Sequence, residues 1–328
     1  MINILPIASG KGGVGKSATS VNLAIILAQN GKRVILADFD FGGANLHTLL
    51  GLKNNHAGMG NFIYKQSDNL SDLLQDTSVE NLKFIAGDCL YPGTSNIDTM
   101  TKKKIIRKIA DLDADYIILD LGAGTTYNTL DFFLLTHNSV VVTTPELTSI
   151  LNAYSFMKSA AFRFFTAQFK ARSRERKFID EYIRNSTSGT EMSFIDLVHK
   201  TQAEFGGENA DFMDEIRKFR PQVIVNMGET SEDLEMAKRF RALVFNKLGL
   251  QMDFVGFLPR EPKISYAIAT RTPLAISEPN CKFVNGIRTA AERILLHSYE
   301  LNETMFTTDL TSDSSDLETL ASEFDQQT

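Results

Sequence analysis

Two hydrophobic patterns alternate along the first half of the chain and again near its end. Short, near-continuous apolar runs are typical of strands buried on both faces, and apolar residues at helical spacing are typical of helices with one buried face. The predicted strands cover residues 2–8, 32–38, 82–86, 116–120, 140–144, 223–226 and 254–257. Strands separated by helices predict an α/β fold, in which a mostly parallel sheet is covered by helices on both faces.

The first strand and the last helix of this pattern each carry a distinctive feature. Pro6 interrupts the first strand. Because proline has no N–H to donate, the hydrogen bonding of that strand is expected to be irregular. Residues 283–296 carry apolar side chains at helical spacing, which predicts a final core helix.

Residues 160–221 depart from the alternation of strands and helices. A long helical pattern covers residues 150–165, and further amphipathic patterns follow around residues 194–198 and 212–219. These residues therefore predict a helical insertion. A basic cluster lies within it: Lys170, Arg172, Arg174, Arg176 and Lys177. The cluster is a candidate contact for DNA phosphate or for an acidic partner, and a solvated helix face is the alternative.

The segment between the first strand and the first helix has the composition of a phosphate-binding loop. Gly10 is followed by four residues and then by Gly15, Lys16 and Ser17. Glycines let backbone N–H groups approach an anion, and the next helix directs its positive end to the same place. Lys16 is expected to reach the outer phosphates of a nucleotide, and Ser17 is expected to bind Mg²⁺. The predicted nucleotide contacts in this loop are Gly10, Lys11, Gly12, Gly13, Val14, Gly15, Lys16, Ser17 and Ala18. A glycine-rich turn without a ligand is the alternative.

Two carboxylates lie where predicted strands end. Asp40 follows the second strand, and Asp120 precedes a glycine-rich turn that contains Gly124. Because parallel sheets bind ligands beyond the carboxyl ends of their strands, both side chains are expected near the loop. A carboxylate there can hold Mg²⁺ through water. A turn or helix-capping carboxylate is the alternative for each of them.

With its second lysine, the loop resembles the KGGxGK[ST] loop of the MinD/ParA ATPases, the "deviant" form of the phosphate loop. Lys11 matches the extra lysine, which in that family reaches the nucleotide of a partner subunit. The resemblance implies ATP and Mg²⁺ as cofactors, an ATP-bound homodimer, and slow hydrolysis stimulated by a partner protein. It implies catalytic roles for Lys11, Lys16 and Asp40, and it implies Ser17, Asp40 and Asp120 as magnesium ligands.

Further positions extend the resemblance into the two switch segments. Asp40 is similar to the switch I aspartate that positions the attacking water, and Asp120 to the Walker B aspartate. Gly124 is then expected to offer its N–H to the γ-phosphate. Gly122 stands where family members often have proline, which implies a looser switch. The sequence of residues 42–47 is most similar to that of the FlhG branch of the family.

Two later segments resemble the base-binding part of the same family. Asn226 ends a predicted strand, and an amide can pair with both the donor and the acceptor edge of adenine. Pro259, Arg260 and Glu261 match the segment that packs around the base and ribose. A buried turn asparagine and an ordinary loop proline are the alternatives.

Composition and charge restrict the class of protein. The chain has 328 residues, of which 43% are hydrophobic, and this is ordinary for a globular protein. The net charge of −6 argues against broad affinity for nucleic acid but leaves room for a local basic patch. The apolar runs are too short to cross a bilayer, and the N-terminus enters a strand without a signal-like region. A cytoplasmic protein is expected.

The C-terminal residues have a separate composition. Residues 1–298 are predicted to form the ATPase domain, and residues 299–328 an acidic segment without lysine or arginine. This acidic segment is expected to be largely disordered, with a short recognition helix at residues 317–324. The membrane anchor of MinD is a basic amphipathic helix, so the acidic charge does not support anchoring of that kind.

These observations favour an ATP-dependent dimeric switch that positions a cellular assembly, such as flagella, a division site or a chromosome. An unidentified activator or cargo adaptor is the expected partner. The alternative is a nucleotide-bound scaffold that hydrolyses little or no ATP and acts through its helical insertion and acidic segment. A metal-cluster carrier of the Mrp type needs closely spaced cysteines, and Cys89 and Cys281 are far apart in the sequence.

Overall fold

The sheet has eight strands and places the N-terminal strand near its centre. The computed structural model describes residues 2–53, 55–87, 97–185, 193–206, 212–303 and 315–327. The strand order is β3-β4-β2-β5-β1-β6-β7-β8, and every pair is parallel except β3 with β4. The strands are β1 (Asn3–Ala8), β2 (Val34–Phe39), β3 (Gln75–Asp76), β4 (Leu82–Ile85), β5 (Tyr116–Leu121), β6 (Val140–Thr143), β7 (Gln222–Gly228) and β8 (Asp253–Pro259). The predicted, mostly parallel sheet is confirmed, and β3 is a short addition at one edge.

Helices cover both faces of this sheet, as predicted. In the described parts of the chain they are α1 (Lys16–Gln29), α2 (Leu46–Leu49), α3 (Met59–Ile63), α4 (Thr99–Ala110), α5 (Tyr127–Phe133), α6 (Leu147–Ala167), α7 (Arg174–Asn185), α8 (Phe194–Phe205), α9 (Phe212–Arg217), α10 (Leu234–Leu248), α11 (Lys263–Thr270), α12 (Leu274–Ser277), α13 (Lys282–Glu303) and α14 (Ser315–Gln327). The predicted core helix at residues 283–296 lies within α13.

Alternate residues of each central strand enter two separate cores. Ile35 and Ala37 of β2 pack with α4, α5, α6 and the helices of the insertion, whereas Val34 and Leu36 pack with α1 and α13. This alternation is the physical reason that the strands read as continuous apolar runs in the sequence.

Pro6 lies inside a buried, central strand. Residues Asn3 to Ile7 of β1 pair with β5, and Pro6 stands opposite Leu119 there. Pairing with β6 begins one residue later, at Ile7. The strand therefore tolerates proline because Pro6 precedes the ladder on the β6 side.

The helical insertion extends α6 and adds further helices. Helices α8 and α9 match the two later amphipathic patterns, and α7 is a helix that the sequence analysis did not assign. Phenylalanine rings join these elements: the centroid of the Phe165 ring lies 6.1 Å from that of Phe194 and 6.0 Å from that of Phe212. The insertion thus packs on the sheet through α6. Within the basic cluster, Arg176 donates from its guanidinium to the carbonyl oxygen of Thr166, so part of its function is structural.

Residues 315–327 are helical, which agrees with the short helix predicted at residues 317–324 and contradicts disorder for the residues that flank it. They form α14, which includes the predicted helix at residues 317–324 and packs against β8. Leu317, Leu320 and Phe324 recur at helical spacing and are buried. The acidic composition of the segment predicts disorder around this apolar stripe and does not indicate that the stripe packs against the sheet. Residues 299–303 lie in α13, so the prediction of disorder is wrong there, and residues 304–314 and 328 lie outside the described residues.

Two further features bear on the sequence predictions. Across the described ranges, no helix is both long enough and apolar enough to cross a bilayer. Cys281 is a partly buried free thiol, and Cys89 lies outside the described residues.

Candidate functional site

The predicted phosphate loop lies between the end of β1 and the start of α1. Gly13 and Gly15 have φ angles of 82° and 85°, in the left-handed region that favours glycine. A Cβ atom on Gly15 would lie 2.2 Å from the Nδ2 atom of Asn226. A Cβ atom on Gly10 would lie 2.3 Å from the carbonyl group of Asn152 in α6. The loop path is therefore set by its glycines and by close contacts from two other elements.

The first turn of α1 is suited to an anion. Gly15 occupies the cap position and provides no side-chain cap, and no acidic residue lies in the first turn. The first N–H groups of a helix have no partner within the helix, and the helix dipole makes this end positive. A phosphate group would meet both features at the end of the loop.

Asp120 is the centre of a buried polar cluster beneath the loop. Its Oδ1 atom lies 2.9 Å from the Nζ atom of Lys16 and 2.7 Å from the Oγ atom of Ser20. Its Oδ2 atom accepts a hydrogen bond of 2.7 Å from the Ser17 hydroxyl. Lys16 and Asp120 are both buried. The structure thus brings together Lys16, Ser17 and Asp120, and it adds Ser20, which lies one helical turn after Lys16 and was missed in the sequence.

Asp38 is a second buried carboxylate that the sequence analysis did not single out. It stands opposite Asp120 in the register of β2 and β5. Its carboxylate accepts hydrogen bonds of 3.1 Å from the N–H groups of Asp40 and Leu46. Burial, and then the negative charge of Asp120, raises the pKa of Asp38 to about 7. Asp38 therefore organises the segment that carries Asp40, and its position at the end of a buried strand was the available signal.

Asp40 lies beside the turn that follows β5. A Cβ atom on Gly122 would lie 3.2 Å from the Oδ1 atom of Asp40, so a larger residue at this position would crowd the carboxylate. Gly124 has a φ of 87° and donates its N–H to the carbonyl oxygen of Ser9 at 3.0 Å. In this structure that N–H is thus engaged with the loop, and contact with a phosphate would require it to exchange partners.

Asn226 joins β7 to the phosphate loop. Its Nδ2 atom donates a 2.9 Å hydrogen bond to the carbonyl oxygen of Val14. Its Oδ1 atom is buried and has no hydrogen-bond partner in the described part of the chain. A buried acceptor without a partner is unfavourable, and a ligand that donates a hydrogen bond would satisfy it. The amino group of adenine is such a donor.

The segment 259–261 is attached to the end of β7. Arg260 donates its backbone N–H to the carbonyl oxygen of Gly228 at 2.9 Å, and its guanidinium pairs with Glu229 at 2.9 Å. The Glu261 carboxylate accepts the N–H of Lys263 at the start of α11, at 3.0 Å. Pro259, Arg260 and Glu261 therefore belong to one turn that is fixed to the strand carrying Asn226.

Lys11 points toward the start of α6. Its Nζ atom lies 3.2 Å from the Oε2 atom of Glu146 and 3.2 Å from the Oγ1 atom of Thr148. The Lys11 side chain is partly exposed, with 31% of its surface accessible. The lysine is thus held within its own chain at the rim of the site.

Comparison with known proteins identifies the N-terminal half of the chain. The family model for ParA, described as an NUBPL iron-transfer P-loop NTPase, matches residues 1–163. The chain carries a P-loop NTPase domain of the ParA family. This domain contains the loop, Asp38, Asp40, Asp120 and the start of α6.

Relatives and solved structures agree with this ParA-family assignment. The chain is 38% identical over 151 residues to the septum site-determining protein MinD of Helicobacter pylori, which covers 46% of this chain and 56% of that protein. The chain thus spans about half the length of the curated relatives it matches. Among solved structures, the cell division ATPase MinD of Pyrococcus furiosus has a TM-score of 0.61 at 18% identity, covering 90% of this chain and 100% of that chain. MinD of Pyrococcus horikoshii, complexed with Mg-ADP, has a TM-score of 0.59 at 17% identity, covering 90% of this chain and 96% of that chain.

The structural matches show that the described fold of the chain is that of MinD. The family model and the sequence relatives confirm the predicted relationship to MinD and ParA for the N-terminal domain. The resemblance to the FlhG branch stays a prediction. The residues of the site, which include Asn226 of β7 beyond the matched domain, also fit the predicted ligands. The open acceptor of Asn226 suits a base, the left-handed glycines suit a phosphate, and Ser17 beside Asp120 suits a hydrated Mg²⁺ ion.

Proposed function

We propose that this ParA-family protein is an ATP-dependent switch, which dimerises with ATP bound and separates after hydrolysis to ADP and phosphate. The observation that carries the proposal is the buried cluster of Lys16, Ser17 and Asp120 beneath a loop of left-handed glycines. A buried lysine next to a helix N-terminus provides positive charge where the outer phosphates would lie. The similar fold of the MinD structure complexed with Mg-ADP supports a nucleotide at this place.

Different residues bind different parts of the nucleotide. In this proposal the loop N–H groups and Lys16 bind the phosphates, and Ser17 and Asp120 hold Mg²⁺, with Asp120 acting through water. The bound Mg²⁺ would neutralise charge that develops on the phosphate oxygens. Asn226 and the segment 259–261 bind the base and ribose. The backbone N–H of Gly124 exchanges the Ser9 carbonyl for the γ-phosphate, which makes the turn after β5 sensitive to the last phosphate.

Asp40 positions the attacking water in this proposal. Replacing Asp40 with asparagine is expected to slow steady-state ATP hydrolysis about tenfold or more, the effect of one charged hydrogen bond. ATP binding is expected to remain, because in this proposal Asp40 acts on the attacking water, whereas the loop and Lys16 bind the phosphates. Phosphate release measures the rate, and calorimetric titration with a slowly hydrolysed ATP analogue measures binding.

The control for this variant is Asp76→Asn, which changes an exposed carboxylate on the edge strand β3. It is expected to hydrolyse ATP like the wild type. Wild-type turnover by Asp40→Asn would contradict the assigned role. No turnover by the wild type, with or without a partner protein, would favour the nucleotide-bound scaffold instead.

In this proposal, Lys11 contacts the nucleotide that is bound to the second subunit. To reach the nucleotide of a partner, its ammonium group must leave Glu146 and Thr148, to which it is bound in the single chain. The start of α6 also exposes Leu147 and Leu151, with 62% and 49% of their surfaces accessible. Exposed apolar side chains next to the loop are typical of a surface that another chain covers.

Replacing Lys11 with alanine is therefore expected to abolish ATP-dependent dimerisation. The free energy of unfolding is expected to change by less than about 1 kcal/mol, because the Lys11–Glu146 pair is partly exposed. Sedimentation with ATP and with ADP measures the subunit number, and Lys83→Ala, which removes a lysine from an exposed pair with Asp76, is the control. Dimers of Lys11→Ala with ATP would refute the role of Lys11. A wild type that is monomeric with either nucleotide would refute the switch.

The proposed output is the spatial positioning of a cellular assembly through an activator or cargo adaptor. The septum site-determining name of the Helicobacter pylori relative supports a role of this class. A pull-down with Asp40→Ala and ATP, compared with the wild type and ADP, should capture partners that bind only the ATP-bound dimer. Equal capture in both states would argue against an ATP-dependent output.

A further inference from the structure

Helix α14 covers the outer edge of the sheet. Strand β8 is the last strand, and an edge strand leaves backbone groups without partners. The Asp316 carboxylate of α14 accepts the backbone N–H of Phe254 at 3.0 Å and pairs with Arg241 of α10. The Glu323 carboxylate pairs with Arg293 at 2.7 Å, and the guanidinium of Arg293 donates to the carbonyl oxygen of Val255 at 3.3 Å. Acidic residues of α14 thus hold β8 both directly and through α13.

An aromatic contact also joins α14 to the carboxyl end of β8. The ring centroids of Phe324 and Phe257 lie 4.5 Å apart, and both side chains are buried. Phe257 lies two residues before Pro259, at which the predicted base segment begins. The helix therefore packs against the part of β8 that leads directly into this segment.

Phe257 in turn restricts the strand that carries Asn226. A Cβ atom on Gly228 would lie 2.2 Å from the Phe257 ring, so the ring occupies the space beside this glycine. The carbonyl oxygen of Gly228 accepts the backbone N–H of Arg260. The pairing of β7 with β8 is irregular between Val225 and Gly228, where backbone pairing alone does not set the register. Side-chain packing at Phe257, together with the Gly228–Arg260 hydrogen bond, then fixes this end of the two strands.

We propose that α14 is an intramolecular clamp, which positions the base-binding turn through the contacts Phe324–Phe257–Gly228–Arg260. This inference rests on the proposed nucleotide site. It assigns the C-terminal acidic helix a function in base binding, and it makes nucleotide affinity depend on whether that helix is docked. A molecule that displaces α14 would weaken binding of the base without touching the phosphate loop.

The test compares Phe324→Ala, Phe324→Leu and Thr319→Ala in the full chain. Thr319 is exposed on the same helix and is the control. Phe324→Ala is expected to weaken ADP binding about tenfold, within the range for coupling through packed side chains. Phe324→Leu should recover most of the affinity, since leucine refills the contact.

Titration with inorganic tripolyphosphate, which has no base, should give equal affinities for all variants. Hydrogen–deuterium exchange without nucleotide should increase at residues 253–261 in Phe324→Ala alone.

The outcomes separate the clamp from the proposed nucleotide site. Unchanged ADP affinity in Phe324→Ala would overturn the clamp, and so would an equal loss for ADP and tripolyphosphate, which indicates a general structural defect. If the wild type binds neither compound, the proposed function fails. In that case hydrogen–deuterium exchange at residues 253–261 still tests the clamp. Increased exchange in Phe324→Ala supports α14 as a structural brace for this segment, and unchanged exchange overturns the clamp.

Discussion

Replacing Lys16 with methionine is expected to weaken ATP binding about a thousandfold, because it removes a buried charged partner of the phosphates. The substitution should also destabilise the free protein. Lys16 is the cation that balances Asp120, whose carboxylate would keep the hydroxyl groups of Ser17 and Ser20 as its other partners. Breaking a buried ion pair by removing one partner costs about 3–5 kcal/mol. Urea unfolding measures the stability, and fluorescence titration with an ATP analogue measures the binding.

The double variant Lys16→Met with Asp120→Asn separates the two effects. It removes the unbalanced charge, so most of the lost stability should return, whereas nucleotide binding should stay as weak as in the single variant. Two results would contradict this account. A single variant as stable as the wild type would show that the pair contributes little to the fold. A single variant that binds ATP normally would refute the assignment of the phosphate site.

The loss of stability in Lys16→Met should also depend on pH. Lys16 lowers the pKa of Asp38, which burial and Asp120 have raised to about 7, so its removal should raise this pKa further. A carboxyl group whose folded pKa exceeds its unfolded value binds a proton on folding. Stability then falls as the pH rises from the unfolded value toward the folded one. The difference from the wild type is therefore expected to be larger near about pH 8 than near about pH 6.

Replacing Gly15 with alanine is expected to disable the loop by distorting its backbone. The left-handed conformation of Gly15 costs a residue with a side chain about 1–2 kcal/mol. The added Cβ would also displace the Asn226 amide from its hydrogen bond to Val14, and an unpaired buried amide costs about 1–3 kcal/mol. Because Asn226 and the loop both belong to the proposed site, ATP binding should fall below detection. Thermal unfolding and titration with ATP measure the two effects.

Gly12→Ala is the matched control for stability. A Cβ atom on Gly12 would meet no atom within 4 Å, and its φ angle is not positive. Its stability should therefore lie within about 0.5 kcal/mol of the wild type. Equal stability of Gly15→Ala and Gly12→Ala would contradict the contact between the loop and Asn226.

The sheet and the loop could be predicted because their signals are local. Residues 116–120 form a strand whose apolar side chains are adjacent in sequence, and the glycine spacing of residues 10–17 describes one continuous turn. The partners of the site side chains could not be predicted in this way. Ser20 and Asp120 are 100 positions apart, and Asn226 and Val14 are 212 positions apart. Such contacts depend on strand order, which the hydrophobic pattern does not specify.

Helix α14 is a second case in which the sequence did not indicate a tertiary contact. Its acidic composition predicted disorder except for a short helix at residues 317–324, and in the structure Leu317, Leu320 and Phe324 of this helix form a buried stripe. A stripe of three apolar residues is stable only if a surface exists to cover it, and that surface is the edge of β8. Neither element indicates the other in the sequence, because they come together only when the sheet forms.

By itself, the sequence determined the alternation of strands and helices, the phosphate loop, and the kinds of side chain at the strand ends. These features follow from periodicity and from residues that are neighbours along the chain. The tertiary structure alone decided that Asp38 lies opposite Asp120, that Lys11 is bound to Glu146, and that α14 is docked beside the base segment. The physical reason is that burial, charge pairing and packing depend on distances in space, which sequence spacing does not report.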